Sequence, residues 1–118
     1  MQMIRVIIAD DTALLRRLLA DRLNRETGIS IVGEANDGRD AVELAARVKP
    51  DVAILDLDMP HLNGIQAAQR IQAQTPGLKI ILLTGHEQLA SLGRLSGASM
   101  CLDKTCSIAE IADAIRHA

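Results

Sequence analysis

Three stretches of this chain are apolar without alternating: Arg5-Val6-Ile7-Ile8-Ala9, Val52-Ala53-Ile54-Leu55 and Lys79-Ile80-Ile81-Leu82-Leu83. Successive strand residues face opposite sides, so a strand apolar at every position must be covered on both, as in a parallel sheet between helices. Ile29-Ser30-Ile31-Val32-Gly33 alternates more and fits an edge strand, and Ser99-Met100-Cys101-Leu102 is a weaker fifth. Between these runs the period becomes helical. Leu15, Leu18, Leu19 and Leu23 share a face, as do Ile108, Ile111, Ala112 and Ile115. Ala41, Ala45 and Val48 follow Asp37-Gly38, and Ile65, Ala68 and Ile71 follow Asn63-Gly64. A short helix around residues 87–95, fourth in chain order, completes five. Pro50, Pro76-Gly77 and Gly97 punctuate the returns to strands.

Five strand-then-helix units predict an open α/β sheet in one domain spanning residues 1–118, with no internal repeat, linker or low-complexity segment. Such sheets take their ligands outside the carboxyl ends of the strands, at the switch point of strand order.

Composition narrows the functions open to that edge. At 118 residues the chain can close one core unaided. It has no Phe, Tyr or Trp, so it offers no stacking platform for bases or a flavin, and its core must be aliphatic. A net charge of −2 with interspersed signs gives no nucleic-acid footprint. No apolar run reaches membrane-spanning length, and Met1 leads straight into a strand without a signal-peptide layout. Cys101 and Cys106 are too few for a disulfide framework and poorly spaced for zinc, so we expect reduced thiols in a cytoplasmic protein.

The chemistry collects at the carboxyl ends. The first strand runs into Asp10-Asp11, the third into Asp56, the fourth into Thr84-Gly85 and the fifth into Asp103-Lys104. Taken singly, these residues have bland readings: Asp11 or Thr12 as a helix N-cap, Thr84 as a strand-end hydroxyl, Lys104 as a solvated cation. Taken together, they deliver acids, a hydroxyl and a cation to one edge. Carboxylates packed that closely repel unless a cation sits among them, and an all-oxygen set suits Mg²⁺. Asp56 stands in the apolar run "ILDLDMP", where an unpaired carboxylate is costly. It is the natural phosphoryl acceptor, with Lys104 and Thr84 placed to meet phosphoryl oxygens.

The chain resembles the receiver domains of two-component response regulators over its whole length. Asp10-Asp11 after the first strand, "DLDMPHLNG" from Asp56, "LLTG" ending at Gly85 and "GASMCLDK" ending at Lys104 come in that family's order and spacing. "IRVIIADD" and "GISIVGEANDGRDAVELA" look most like the NarL/FixJ branch, whose members usually carry a LuxR-type helix-turn-helix after the receiver. The resemblance implies the flavodoxin-like (CheY-like) strand order 2-1-3-4-5. It also implies phosphorylation of Asp56 by a sensor histidine kinase, with Mg²⁺ held by Asp10 or Asp11, Asp56 and the backbone carbonyl of Asp58. Asp58 itself should point outward, where its side chain can tune how long the phosphoryl group survives. The switch would run from Thr84 to the face formed by the fourth helix, fifth strand and fifth helix, through which a homodimer is also open. Such a domain would control an attached LuxR-type DNA-binding domain beyond residue 118. It would not be an enzyme beyond catalysing its own phosphotransfer and autodephosphorylation, and its own residues would bind neither nucleic acid nor membrane.

Two departures stand out. The aromatic usual between Thr84 and Lys104 falls at Cys101, and the stretch from Thr84 to Gly97 is shorter than usual by about half a helical turn. Lys104 is followed by Thr105 rather than proline, as is frequent in this branch. These departures keep open a pseudo-receiver, an interaction module with an atypical or absent phosphorylation switch. Haloacid-dehalogenase phosphatases also begin with Asp-x-Asp after a strand, but their acid pair follows that strand and they carry a cap for which this chain has no room. A flavodoxin would need a Ser/Thr-Gly-rich loop after the first strand. His61 and His86 are expected as exposed loop residues, His86 with a position suited to tuning dephosphorylation; His117 carries no signal.

Overall fold

A computed structural model of the chain describes residues 2–85 and 100–118. Five strands, β1 (Ile4–Ala9), β2 (Ile29–Ala35), β3 (Val52–Asp56), β4 (Lys79–Thr84) and β5 (Met100–Asp103), form one sheet in the order β2-β1-β3-β4-β5. Every neighbouring pair is parallel. This is the doubly wound, flavodoxin-like order, with the reversal between β1 and β3. The described helices are α1 (Ala13–Asn24), α2 (Gly38–Val48), α3 (Gly64–Gln74) and α4 (Ile108–His117). The helix expected around residues 87–95 lies outside the described residues, and so does His86; α4 is the last of the five helices expected.

The three non-alternating runs are buried on both faces because each feeds two cores at once. On one face Ile7, Ala53, Leu55, Ile80 and Leu82 meet Ala41, Ala45, Ala68 and Ile71 of α2 and α3. On the other, Val6, Ile8, Ile54, Ile81 and Leu83 meet Leu23 of α1 and Ile111 and Ile115 of α4. Each fully buried Ile or Leu contributes roughly 2–3 kcal/mol of transfer free energy, so the aliphatic sheet is the main source of stability. β2 and β5 are the edges, and β5 is only half-buried throughout.

Helix starts follow their local chemistry. Asp37 caps α2 by accepting from the Asp40 amide. Asn63 and Gln66 form a reciprocal capping box on α3, as do Ser107 and Glu110 on α4. α1 departs from its sequence pattern. Its N-cap, Thr12, makes no side-chain cap bond. Of the leucine face only Leu23 is fully buried and Leu19 partly so, whereas Leu15 and Leu18 are 58% and 48% exposed and Leu14 is 79% exposed.

Two glycines position the site's loops. A Cβ at Gly64 would stand 2.5 Å from the backbone oxygen of Asp56, so the start of α3 closes directly under the end of β3. A Cβ at Gly38 would collide with the Leu62 carbonyl oxygen, which lets the same loop rest on the start of α2.

Candidate functional site

Asp56 is the last residue of β3 and only 2% exposed. The residue that follows it is fixed at both its polar groups: the Leu57 amide donates to the Leu83 carbonyl at 2.9 Å, and the Gly64 amide to the Leu57 carbonyl at 2.8 Å. Asp56 Oδ1 lies 2.7 Å from Lys104 Nζ, and the Asp58 amide points at the same oxygen from 3.4 Å. Lys104 reaches it because β5 pairs with β4 as far as Thr84 and Asp103, after which the Lys104 amide donates to the Thr84 carbonyl at 3.0 Å.

Asp10 and Asp11 arrive from the other side of Asp56, at the exit of β1. Ligand oxygens of Asp10, Asp11 and Asp56 lie within 4.8 Å of one another. Asp10 is held at three points. Its amide donates to the Ala35 carbonyl at 3.0 Å, its Oδ1 accepts from the Thr12 amide at 2.9 Å, and its carbonyl accepts from the Arg16 guanidinium at 2.8 Å. Arg16 Nε in turn donates to Glu34 Oε1 at 3.0 Å.

Electrostatics mark this cluster as unfinished. Burial raises the Asp56 carboxyl above its ordinary range and the nearby Asp10 adds to it, while Lys104 opposes. Burial would lower the Lys104 ammonium, but the hydrogen bond and charge of Asp56, with Asp10 and Asp58, outweigh it and hold the group above its usual value. Two exposed or half-exposed acids and one buried acid thus converge on a single ammonium. An all-oxygen set of this kind fits a hard divalent ion such as Mg²⁺ and offers nothing to a thiophilic metal. The Thr84 hydroxyl completes the picture. It is buried and makes no hydrogen bond among the described residues, a condition that costs about 1–3 kcal/mol unless a ligand oxygen meets it.

The structure therefore brings together Asp10, Asp11, Asp56, Thr84 and Lys104. Asp58 is exposed, two residues beyond the buried acid and past the end of β3. Cys101 is half-buried against the α2/α3 core, and burial raises its thiol. His61 is exposed in the loop before α3, with φ 68° and its ring 3.9 Å from Asp37. His117 only turns back to the Asp113 carbonyl. Sequence reasoning missed Arg16 and Glu34. Glu34 stands at the carboxyl end of β2, so the rule that found the other strand-end residues applies to it equally.

A groove of about 420 Å³ runs between α1 and α4, and Asp10 and Lys104 are among its walls. Leu15, Leu18, Ile108 and Ile111 give it an apolar stretch, with Thr12 and Arg22 also among its walls.

Comparison with known proteins agrees with this geometry. The response regulator receiver domain family model matches residues 6–116. The transcriptional regulatory protein PdtaR of Mycobacterium tuberculosis is 46% identical over 116 residues, covering 97% of this chain and 56% of that protein. LiaR of Bacillus subtilis, also a transcriptional regulatory protein, is 41% identical over 118 residues, covering 98% and 56%. A LuxR-family two-component response regulator from Aurantimonas superposes with a TM-score of 0.90 at 28% identity, over 98% of this chain and 84% of that one. The chain thus spans about half the length of the curated relatives it matches. With its sheet order, its acidic edge and these matches in agreement, this chain belongs to the receiver domains of two-component response regulators, in the company of the LuxR/NarL-type regulators.

Proposed function

We propose that Asp56 is the phosphoacceptor and that Asp10, Asp11 and the backbone carbonyl of Asp58 join it in holding Mg²⁺. The observation that carries this reading is the pairing of a 2%-exposed Asp56 with Lys104 at 2.7 Å beside two further acids. An Asp56 oxygen attacks phosphorus, and the phosphorus–nitrogen bond of a donor phosphohistidine breaks as the new phosphorus–oxygen bond forms. The electron pair leaves with the imidazole nitrogen. Lys104 transfers its pairing to a phosphoryl oxygen, and the Thr84 hydroxyl donates to another. Bound Mg²⁺ would neutralise charge on the transferring group.

The donor is a sensor histidine kinase in the cytoplasm. The groove between α1 and α4 suits a helix of that kinase, because a helix lying along its leucines passes Asp10 and Lys104 at its phosphohistidine. Thr84 relays the change to β5 and α4, with Cys101 too small to play the part of the usual aromatic. The output is a LuxR-type DNA-binding domain beyond residue 118, and a homodimer through β5, α4 and the helix expected at residues 87–95 is part of this reading. Catalysis extends no further than the domain's own phosphotransfer and autodephosphorylation.

Acetyl phosphate with Mg²⁺ should add one hydroxylamine-labile phosphoryl group to the chain, seen by intact mass. Asp56→Asn should stay folded and unlabelled. Equal labelling of that variant would falsify the assignment.

A further inference from the structure

Among the described residues, Asp10 is the one acid of the cluster whose backbone is gripped by a charged side chain. Arg16 sits on α1, one turn beyond the acid pair, with its side chain 12% exposed. It donates to the Asp10 carbonyl at 2.8 Å and to Glu34 at 3.0 Å, bridging α1, the exit of β1 and the carboxyl end of β2. Few side chains can hold two acceptors at fixed angles; a planar guanidinium can, and an ammonium at one point cannot. The start of α1 supplies little else. Its N-cap side chain is idle, its first turn carries no acid, and the Asp10 carboxylate itself receives the Thr12 amide.

A bare guanidinium at this place would carry a positive charge beside the acids and repel a divalent ion. Glu34 cancels that charge while fixing the guanidinium plane. We infer that Arg16 and Glu34 form a charge-neutral clamp on Asp10: Arg16 is a positioning residue for the metal-binding carboxylate, and Glu34 is its orienting partner and counter-charge. The inference rests on the reading of Asp10 as a metal ligand.

The clamp predicts two separable effects on Mg²⁺ affinity. Loss of Arg16 loosens the Asp10 turn, and loss of orienting partners of this kind costs metal sites roughly tenfold in affinity. Loss of the Glu34 charge keeps the hydrogen-bonding shape but leaves Arg16 uncompensated, an effect that salt screens. The two effects are not fully additive, because part of the Glu34 effect acts through Arg16.

The test is Mg²⁺ titration of the whole chain without phosphodonor, followed by the amide shifts of Asp10, Asp11 and Thr12, at low and high salt. Arg16→Lys, which keeps the charge, should weaken binding about tenfold at both salts, and Arg16→Ala should do so at high salt, where the uncompensated Glu34 charge is screened. Glu34→Gln should weaken it several-fold at low salt and by much less at high salt. The added effect of Glu34→Gln should be smaller in the Arg16→Ala background, where only the direct, salt-screened pull of the Glu34 charge on the ion is lost. A purely structural role would lower the melting temperature without this salt dependence or coupling. If wild type binds Mg²⁺ and folded Arg16→Ala binds it within about twofold of wild type at high salt, the clamp is wrong while the metal site stands. Should Arg16→Ala not fold, Glu34→Gln with unchanged affinity at low salt overturns the clamp by itself. Absence of Mg²⁺ binding by wild type would remove the metal reading and the clamp together.

Discussion

At the scale of single residues, Asp56 is a charge kept where burial disfavours it. Its carboxyl is raised above the ordinary 3.8, first by burial and then by Asp10, against the opposing Lys104. The folded chain therefore binds this proton more tightly than the unfolded chain. Between 3.8 and the raised value, folding takes up a proton, so the contribution of Asp56 to stability falls as pH rises through that window and stays low above it. Asp56→Asn removes that pH dependence. In metal-free buffer at pH 7 the variant should be more stable by about 1 kcal/mol, because the 42%-exposed Lys104 side chain can return to water when its partner is neutral. Thermal melts in a chelator check this. A variant less stable than wild type at pH 7 would mean that the Lys104 pair outweighs burial. Asp11→Ala likewise relieves repulsion and should leave metal-free stability equal or higher while weakening Mg²⁺ binding by about tenfold or more, so that added Mg²⁺ stabilises wild type far more than the variant. The acids, Lys104 and Thr84 were all legible in the sequence because each ends a strand. Arg16 was not: nothing in its place on α1 says which way a guanidinium reaches, and its partner Glu34 lies 18 residues away on another element.

Among the described elements, α1 departs most from what its pattern suggested. Leu15, Leu18, Leu19 and Leu23 do share a face, but periodicity records only that a face is apolar and not what covers it. Here Leu23 packs into the core shared with α4, while Leu15 and Leu18 line the open groove beside Asp10 and Lys104. The two ends of one stripe should therefore respond differently to mutation. Leu23→Ala leaves a cavity among fully buried neighbours and should cost about 2–4 kcal/mol. Leu18→Glu should leave the melting temperature within a degree or two, keep labelling by acetyl phosphate, and slow phosphotransfer from a histidine kinase roughly tenfold. A Leu18→Glu chain that accepts phosphoryl from the kinase at the wild-type rate would exclude the groove as the kinase's seat. The strands were read more fully than the helices, since a run apolar at every position has only one common solution, a sheet covered on both faces.

The whole molecule divides its labour between the two edges of the sheet. The carboxyl edge gathers repelling acids and a hydroxyl without a partner among the described residues, a costly arrangement suited to a ligand. The amino edge does the opposite. There the Arg5 amide donates to Asp51 Oδ2 at 2.9 Å, the Arg5 guanidinium to the Lys49 carbonyl at 2.8 Å, the Asp51 amide to the Arg5 carbonyl at 2.8 Å, and the Lys79 amide to the Asp51 carbonyl at 3.1 Å. Those bonds lace the starts of β1, β3 and β4 together and close the left-handed turn at Lys49, where α2 ends. Its backbone groups are paired with one another and with side chains, so it stabilises without inviting a ligand. Sequence reasoning found the first edge through its concentration of chemistry and passed over the second, whose residues look like ordinary solvated charges. Asp51→Ala removes one of those bonds from an exposed position and should cost about 1 kcal/mol in denaturant melts. It should leave Mg²⁺ affinity and acetyl phosphate labelling of Asp56 unchanged. Asp11→Ala should show the reverse pattern, unaltered or raised metal-free stability with impaired Mg²⁺ binding. If Asp51→Ala weakens Mg²⁺ binding as much as Asp11→Ala does while both remain folded, the two edges are coupled through the sheet and the division of labour argued here is wrong.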